Sequence, residues 1–180
     1  MPSAFRPARA LLAQYAAYHR DQRNIATHFI GVPTIVFAVA VLFSRPSFHL
    51  GGLSLTPAWL LFAFSSLWYL TRGEFVLGAA VSAAVGLLVL LATPLAATGT
   101  AGWLGWGLGL FAIGWAIQFV GHYYEGRKPA FADDAVGLLV GPMFVALEML
   151  AGFGLFKPLV AEIEQRVGPT MLRDLAHPVG

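Results

Sequence analysis

A chain of 180 residues with five histidines and no cysteine has few groups that could do chemistry, and three of those histidines stand in notable runs. Two lie in Tyr15-x2-Tyr18-His19-x4-Asn24-x3-His28, and the third follows Gln118 by four residues and precedes Glu125 by three. Imidazole is the commonest metal-binding side chain. Without thiols, a metal site here would draw on His, Asp and Glu, a donor set suited to a hard or borderline ion. Residues nine apart on one continuous helix lie about 180° apart, because each step turns about 100°. His19 and His28 can therefore share a site only if the helix breaks between them, and Asn24 is the expected break, as the cap of the helix that follows. Gln118, His122 and Glu125 fall on one helix face. A metal-bound histidine usually donates its other N–H to a carboxylate or carbonyl, and Glu125 or Asp133 could accept it. The plainer reading, interfacial histidines solvating the start of a helix, fits the spacing equally well.

Three further groups follow from the same inspection. Arg127 and Lys128 could receive the carboxylate of an amphiphilic substrate at headgroup level, although ordinary positive charge beside a membrane explains them as well. Glu148 lies within an apolar stretch, where an ionisable side chain is expensive and points to a cavity or a partner; a supporting role suits it better than direct catalysis. His49 and His177 are expected to be solvated. No P-loop, G-x-S-x-G or H-E-x-x-H motif is present.

The elements that must position these groups are membrane helices. Apolar residue types make up 58% of the chain and charged residues 11%, against about 25% charged in soluble domains, with a mean hydropathy of +0.71. Such a chain lacks the polar atoms to cover a water-soluble surface, and it is too apolar to be disordered. The net charge of +2 and the lack of any basic run beyond Arg127-Lys128 argue against nucleic acid as a partner. The expected fold is an all-α polytopic membrane bundle of about four to six spans. They begin at residues 25–43, near 53–70, 75–95 and 102–120, followed by a broken helix near Gly141-Pro142. One membrane-embedded domain is expected over residues 1–180: an N-terminal interfacial segment (1–24), the bundle (25–156) and an interfacial C-terminal tail (157–180). Gly105-x3-Gly109 and Gly137-x3-Gly141 could let helices approach and would permit a homodimer. With a cytoplasmic N-terminus, Arg6, Arg9, Arg20, Arg23, Arg72, Arg127 and Lys128 lie inside and Arg45 outside, as the positive-inside rule asks. His19, His28 and His122 then share the inner face. Composition suggests a bacterial inner membrane, with the endoplasmic reticulum as the alternative.

At these clusters a resemblance emerges. Tyr18-His19-x4-Asn24-x3-His28-x3-Val32-Pro33 and Gly114-Trp115-x2-Gln118-Phe119-Val120-Gly121-His122, with Glu125, Pro129-Ala130, Asp133, Pro142 and Glu148, are similar to the pattern of the Mpo1-like family. The likeness extends from about Gln14 to Phe156. It implies an Fe(II)-dependent dioxygenase that acts with O2 on 2-hydroxy long-chain fatty acids in α-oxidation, giving a fatty acid one carbon shorter. It also implies that His19, His28 and His122 hold the iron. On that reading Glu125, Asp133, Glu148, Asn24 and Gln118 take catalytic or supporting roles, Arg127 and Lys128 meet the substrate carboxylate, and Tyr15 and Tyr18 line the site. The acyl tail would lie between helices or in the inner leaflet. The competing function is a small non-catalytic membrane protein, such as a transporter subunit or assembly factor.

Overall fold

In the computed structural model, which describes residues 3–51 and 53–174, the chain is almost wholly helical. Helices α1 (Ala8–Ala16) and α2 (Gln22–Phe43) lead through a short antiparallel hairpin, β1 (Phe48–Leu50) and β2 (Leu53–Leu55), to α3 (Pro57–Leu70). Helices α4 (Phe75–Ala96), α5 (Thr100–Glu125), α6 (Gly137–Gly152) and α7 (Lys157–Val167) follow. Helices α2, α4 and α5, of 22, 22 and 26 residues, are apolar enough to cross a membrane. At 1.5 Å per residue they reach about 33–39 Å, beyond the ~30 Å hydrocarbon core. Helix α3 is equally apolar but has only 14 residues, about 21 Å, because residues expected to open that span are paired in the hairpin. Three candidate spans result, or four if α6 and α7 together make one.

The break expected near Gly141-Pro142 lies elsewhere. Helix α6 continues through Pro142, which forgoes one backbone hydrogen bond in the helix's second turn. The chain instead bends by 118° between α6 and α7. There Gly154 and Phe156 take φ of 93° and 56° and Pro158 follows, so the helical ladder cannot run on.

The terminal helices are built into the body rather than laid on it. Helix α1 packs on α6 and α7 and buries Leu11, Leu12 and Tyr15; α7 buries Leu159 and Ile163. Together with Met143, Phe144 and Leu147 of α6 these residues form one apolar cluster, and Ala40, Val41, Ala58, Val89 and Ala92 form a second at the opposite end of the bundle.

The most intimate helix pair is α2 with α5. Gly107, Gly114 and Gly121 recur every seven residues and so share one face of α5. A Cβ at each would run into α2: into Leu42 at Gly107, Ile35 at 2.6 Å from Gly114, and Thr27 and Asn24 at Gly121. Gly31 answers them from α2, where a Cβ would lie 3.1 Å from the Gly114 carbonyl oxygen. Bare backbone lets two apolar helices come close enough to gain packing contacts that lipid cannot supply. Gly137 and Gly141 also meet close neighbours, Phe131 and Tyr15, whereas Gly105 and Gly109 face open space.

Candidate metal centre

The chain between α1 and α2 breaks at residues 17–21, which resolves the nine-residue problem. The cap is Asp21, not Asn24: the Asp21 carboxylate accepts from the Arg23 N–H at 2.8 Å. Asn24 lies in the first turn of α2 with its side chain buried. His19 folds back so that its Nδ1–H donates to the Tyr15 carbonyl at 2.7 Å. His28 does the same to the Asn24 carbonyl at 2.8 Å. A carbonyl only accepts, so each ring is left with a bare Nε2 lone pair, and the two Nε2 atoms face each other at 3.0 Å. His122 joins them from the last turn of α5, with ligand atoms of all three residues within 4.8 Å of one another. The three side chains are 0%, 2% and 7% exposed. Tyr15 stacks on His19 at 4.1 Å and 8°, and Phe144 packs beside both rings, 5.5 Å from His19 and 5.2 Å from Tyr15. Burial, with His28 beside it, holds the His19 imidazole well below the usual histidine range.

This donor set fits a metal ion. Two opposed lone pairs at 3.0 Å repel unless a cation lies between them, and nitrogens bound at about 2.1 Å in adjacent positions of an octahedron lie about 3.0 Å apart. Both Nδ1–H groups already donate to carbonyls, the arrangement that fixes ring orientation in metal-ligating histidines. Among the described residues, no carboxylate belongs to the cluster.

Glu125 does other work. It does not hydrogen-bond His122, as the spacing had suggested; its Oε2 accepts from the backbone N–H of Arg20 (2.9 Å) and Asp21 (2.8 Å) and from Asn24 Nδ2 (3.1 Å). Its other oxygen pairs with Arg173 at 2.8 Å. The loop that carries His19 is thus fastened to the helix that carries His122. A tail segment after α7 fastens the same loop from outside. Met171 exchanges backbone hydrogen bonds with Arg20 and Gln22, Arg173 N–H donates to Asp21, and Arg20 Nη1 donates to the Gly168 carbonyl. Asp21 is buried, yet hydrogen bonds from Arg23 and Arg173 pull its carboxyl down to about 2. Sequence inspection missed Arg20, Asp21 and Arg173. An acid directly before a helical run marks Asp21 as a cap, but no local signal links Arg173 to a loop 150 residues earlier.

A cavity of about 70 Å³ opens from His28 and His122 between α2, α5 and α6, with Tyr15 and Trp115 in its wall. Gln118 also lines it, 3% exposed, and neither its Nε2 nor its Oε1 has a hydrogen-bond partner. A buried amide left so costs about 1–3 kcal/mol per unmatched group, and its donor and acceptor could both serve a polar ligand in the cavity. The other expected residues lie outside this wall. Tyr18 donates to Asp133 at 2.8 Å, and Asp133 also pairs with Lys128, all near the surface. Arg127 donates to the Ala17 carbonyl at 3.1 Å. Glu148 acts electrostatically on Arg20 and not in the histidine cluster. His49 is exposed on β1, and His177 lies outside the described residues.

Residues 5–153 match the family model described as 2-hydroxy-palmitic acid dioxygenase Mpo1-like. The chain is 37% identical over 160 residues, 87% of either sequence, to a Saccharomyces cerevisiae protein named 2-hydroxy-palmitic acid dioxygenase MPO1. No solved structure matches the chain.

Proposed function

The chain belongs to the Mpo1-like family, and on that premise we propose that it is a membrane-embedded, iron(II)-dependent dioxygenase of 2-hydroxy long-chain fatty acids. It would give the fatty acid one carbon shorter, as in α-oxidation. One 2-hydroxy acid and one O2 would yield the shortened acid, CO2 and water, so O2 alone balances the oxidation. The observation that carries the reading is the pair of Nε2 atoms 3.0 Å apart, with His122 beside them, at the inner end of a cavity between helices.

His19, His28 and His122 would hold the iron, which when bound supplies a redox centre with open positions for the hydroxy acid and O2. The protein's own groups do the rest. The Tyr15 and Asn24 carbonyls keep the His19 and His28 rings in one tautomer. Gln118 offers a donor and an acceptor inside the cavity, suited to the 2-hydroxyl and carboxylate of the substrate, and so fixes which carbon faces the centre. Tyr15, Phe144 and Trp115 keep water away. Arg127 and Lys128, directly before the cavity-lining Pro129, supply positive charge where a headgroup would arrive. These cations and Arg20, Arg23 and Arg72 flank the histidine end, while Arg45 bonds the Ala96 and Thr98 carbonyls at the other. By the positive-inside rule the N-terminus and the site would face the cytoplasm, in a bacterial inner membrane or, as the alternative, the endoplasmic reticulum membrane.

The test is anaerobic loading of the reconstituted protein with iron(II), followed by O2 and a 2-hydroxy long-chain acid, with product length read by mass spectrometry. A product one carbon shorter, in step with O2 uptake, is expected. Stoichiometric iron without product, or no iron at all, would return the chain to the non-catalytic class.

A further inference from the structure

Next to the histidine cavity lies a second, larger and almost wholly apolar groove of about 390 Å³, within the range of small-molecule sites. The two are continuous in their walls: Ile35, Val36, Trp115, Leu138 and Pro142 line both. The groove exists because of how the helices pair. Helix α5 packs chiefly on α2 along its glycine face, α3 pairs with α4, and α6 leans on α1, α2 and α4. A seam is therefore left between Phe111 and Trp115 of α5 and the side chains of α3 and α6. Its one polar hydroxyl outside Tyr69 is that of Ser65, already bonded to the Phe62 carbonyl.

We infer that this groove holds the acyl tail of the substrate whose hydroxy-acid head sits at His28, His122 and Gln118, and that Val36, Val39 and Ala40 gauge its length. The inference rests on the function proposed above. Along α2, Val36 lies about 12 Å beyond His28 and Ala40 about 18 Å beyond it, more than half of the ~30 Å hydrocarbon core and so the depth of one leaflet. A saturated chain entering from the head cavity meets walls that are apolar over that distance but for the Ser65 and Tyr69 hydroxyls. It ends where Ala40 and Ala58, 4% and 2% exposed, pack with Val89 in the second apolar cluster. The occupant is the tail of a bound substrate rather than a bulk lipid because the groove leads into the polar head site and shares its walls. A ligand that fills both is amphiphilic, with one polar end and one long apolar end.

Side chains enlarged at graded depths should cut the groove at graded lengths. Across a series of 2-hydroxy acids, Val39→Phe should lower the ratio of kcat/KM for the longest to the shortest acids at least tenfold. Val36→Phe should move the cut-off to still shorter acids, with iron content retained in both. Leu90→Phe, on a lipid-exposed face, should leave the length profile as it was. Wild-type protein active on 2-hydroxy acids, with both α2 variants altering all lengths alike, would overturn the groove assignment and leave the function standing. A direct label covers the case of variants that do not fold. A 2-hydroxyhexadecanoic acid with a diazirine at its far end, photolysed in the wild-type protein, should mark α2 around Val39 or α3 around Phe62. Labelling confined to the outward residues Leu87, Leu90 and Leu91 would overturn the assignment. Groove labelling in a protein without turnover would refute the oxygenase reading and keep the binding site.

Discussion

The two ends of the α2–α5 pair are built on the same device and finished with opposite chemistry. At the far end Gly107 faces Leu42, and the polar side chains nearby direct their hydrogen bonds to carbonyls: Trp103 Nε1 to Val41 at 2.8 Å, Ser44 Oγ to Ala40 at 2.7 Å and Arg45 Nε to Ala96 at 2.7 Å. At the histidine end Gly121 faces Asn24 and Thr27, but buried polar atoms there stay unmatched: both amide atoms of Gln118 and the Asn24 Oδ1. The far end leaves a single hydroxyl, Thr56 Oγ1, unmatched, whereas the histidine end leaves a whole amide so, and each unmatched buried group costs about 1–3 kcal/mol. The difference teaches where a ligand belongs.

The comparison breaks first at the histidines. His19→Ala, His28→Ala or His122→Ala should each take bound iron and turnover to background, whereas His49→Ala, on the exposed hairpin, should leave both unchanged. Full iron in the His122 variant, by metal analysis, would end the claim of a three-histidine centre. The glycines sharpen it next. Gly121→Ala would press a methyl into Asn24 Oδ1 at 2.6 Å and into Thr27, with an overpacking cost of about 1–3 kcal/mol and a loss of iron. Gly107→Ala meets the flexible Leu42 side chain, which can turn aside, and should lower the melting temperature less and spare the iron. Equal loss of iron in both variants would show that the two ends do not differ as described.

The network that fastens the His19 loop comes third. Glu125→Ala frees the Arg20 and Asp21 N–H groups, and iron affinity should fall about 10–100-fold, the range found for groups that orient ligands. Calorimetric titration with iron(II) would measure it, and Arg173→Ala should show a smaller fall in the same direction. Gln118→Met follows. It removes an unmatched amide at similar volume, so thermal stability should rise by about 1 kcal/mol while KM rises about tenfold with iron unchanged. Loss of stability would place the Gln118 amide in the packing rather than at the substrate. The smallest effect is expected at Arg127→Gln and Lys128→Gln, whose cations are already engaged with Ala17 and Asp133. About a threefold rise in KM in steady-state kinetics, lost at high salt, is the outcome that keeps them in substrate capture.

That His19, His28 and His122 meet was legible before the fold. Hydropathy gave the helices, and counting basic residues brought His19, His28 and His122 to one face, because antiparallel spans return alternate ends to the same side. What escaped inspection depended on contacts rather than on spacing. Asn24 looked like a cap because asparagine favours that position, but Asp21 lies earlier and is held by Arg23 and Arg173. Glu125 falls on the expected face of its helix and is offered, with Asp133, as an acceptor for a histidine N–H; its observed partners, the backbone N–H groups of a distant loop, leave no mark in a sequence. Pro142 drew the expected break to itself, yet Gly154 and Phe156, with positive φ, turn the chain. The seven-residue glycine repeat of α5 is visible in the sequence, but the α2 side chains that it meets are not.

The tail segment that clasps the His19 loop bears on when the centre comes into being during synthesis. Residues 168–173 leave the ribosome after every helix of the bundle, and about fifty residues separate His122 from Arg173. At ~5–20 residues per second, translation needs several seconds to cover them. Throughout that interval all three imidazoles exist while the Arg173 anchor to Glu125 and Asp21 does not. The growing chain therefore passes through a stage in which the three histidines are present but their clasp is not, and on the proposed function iron delivered then would meet a looser site than iron delivered to the finished protein.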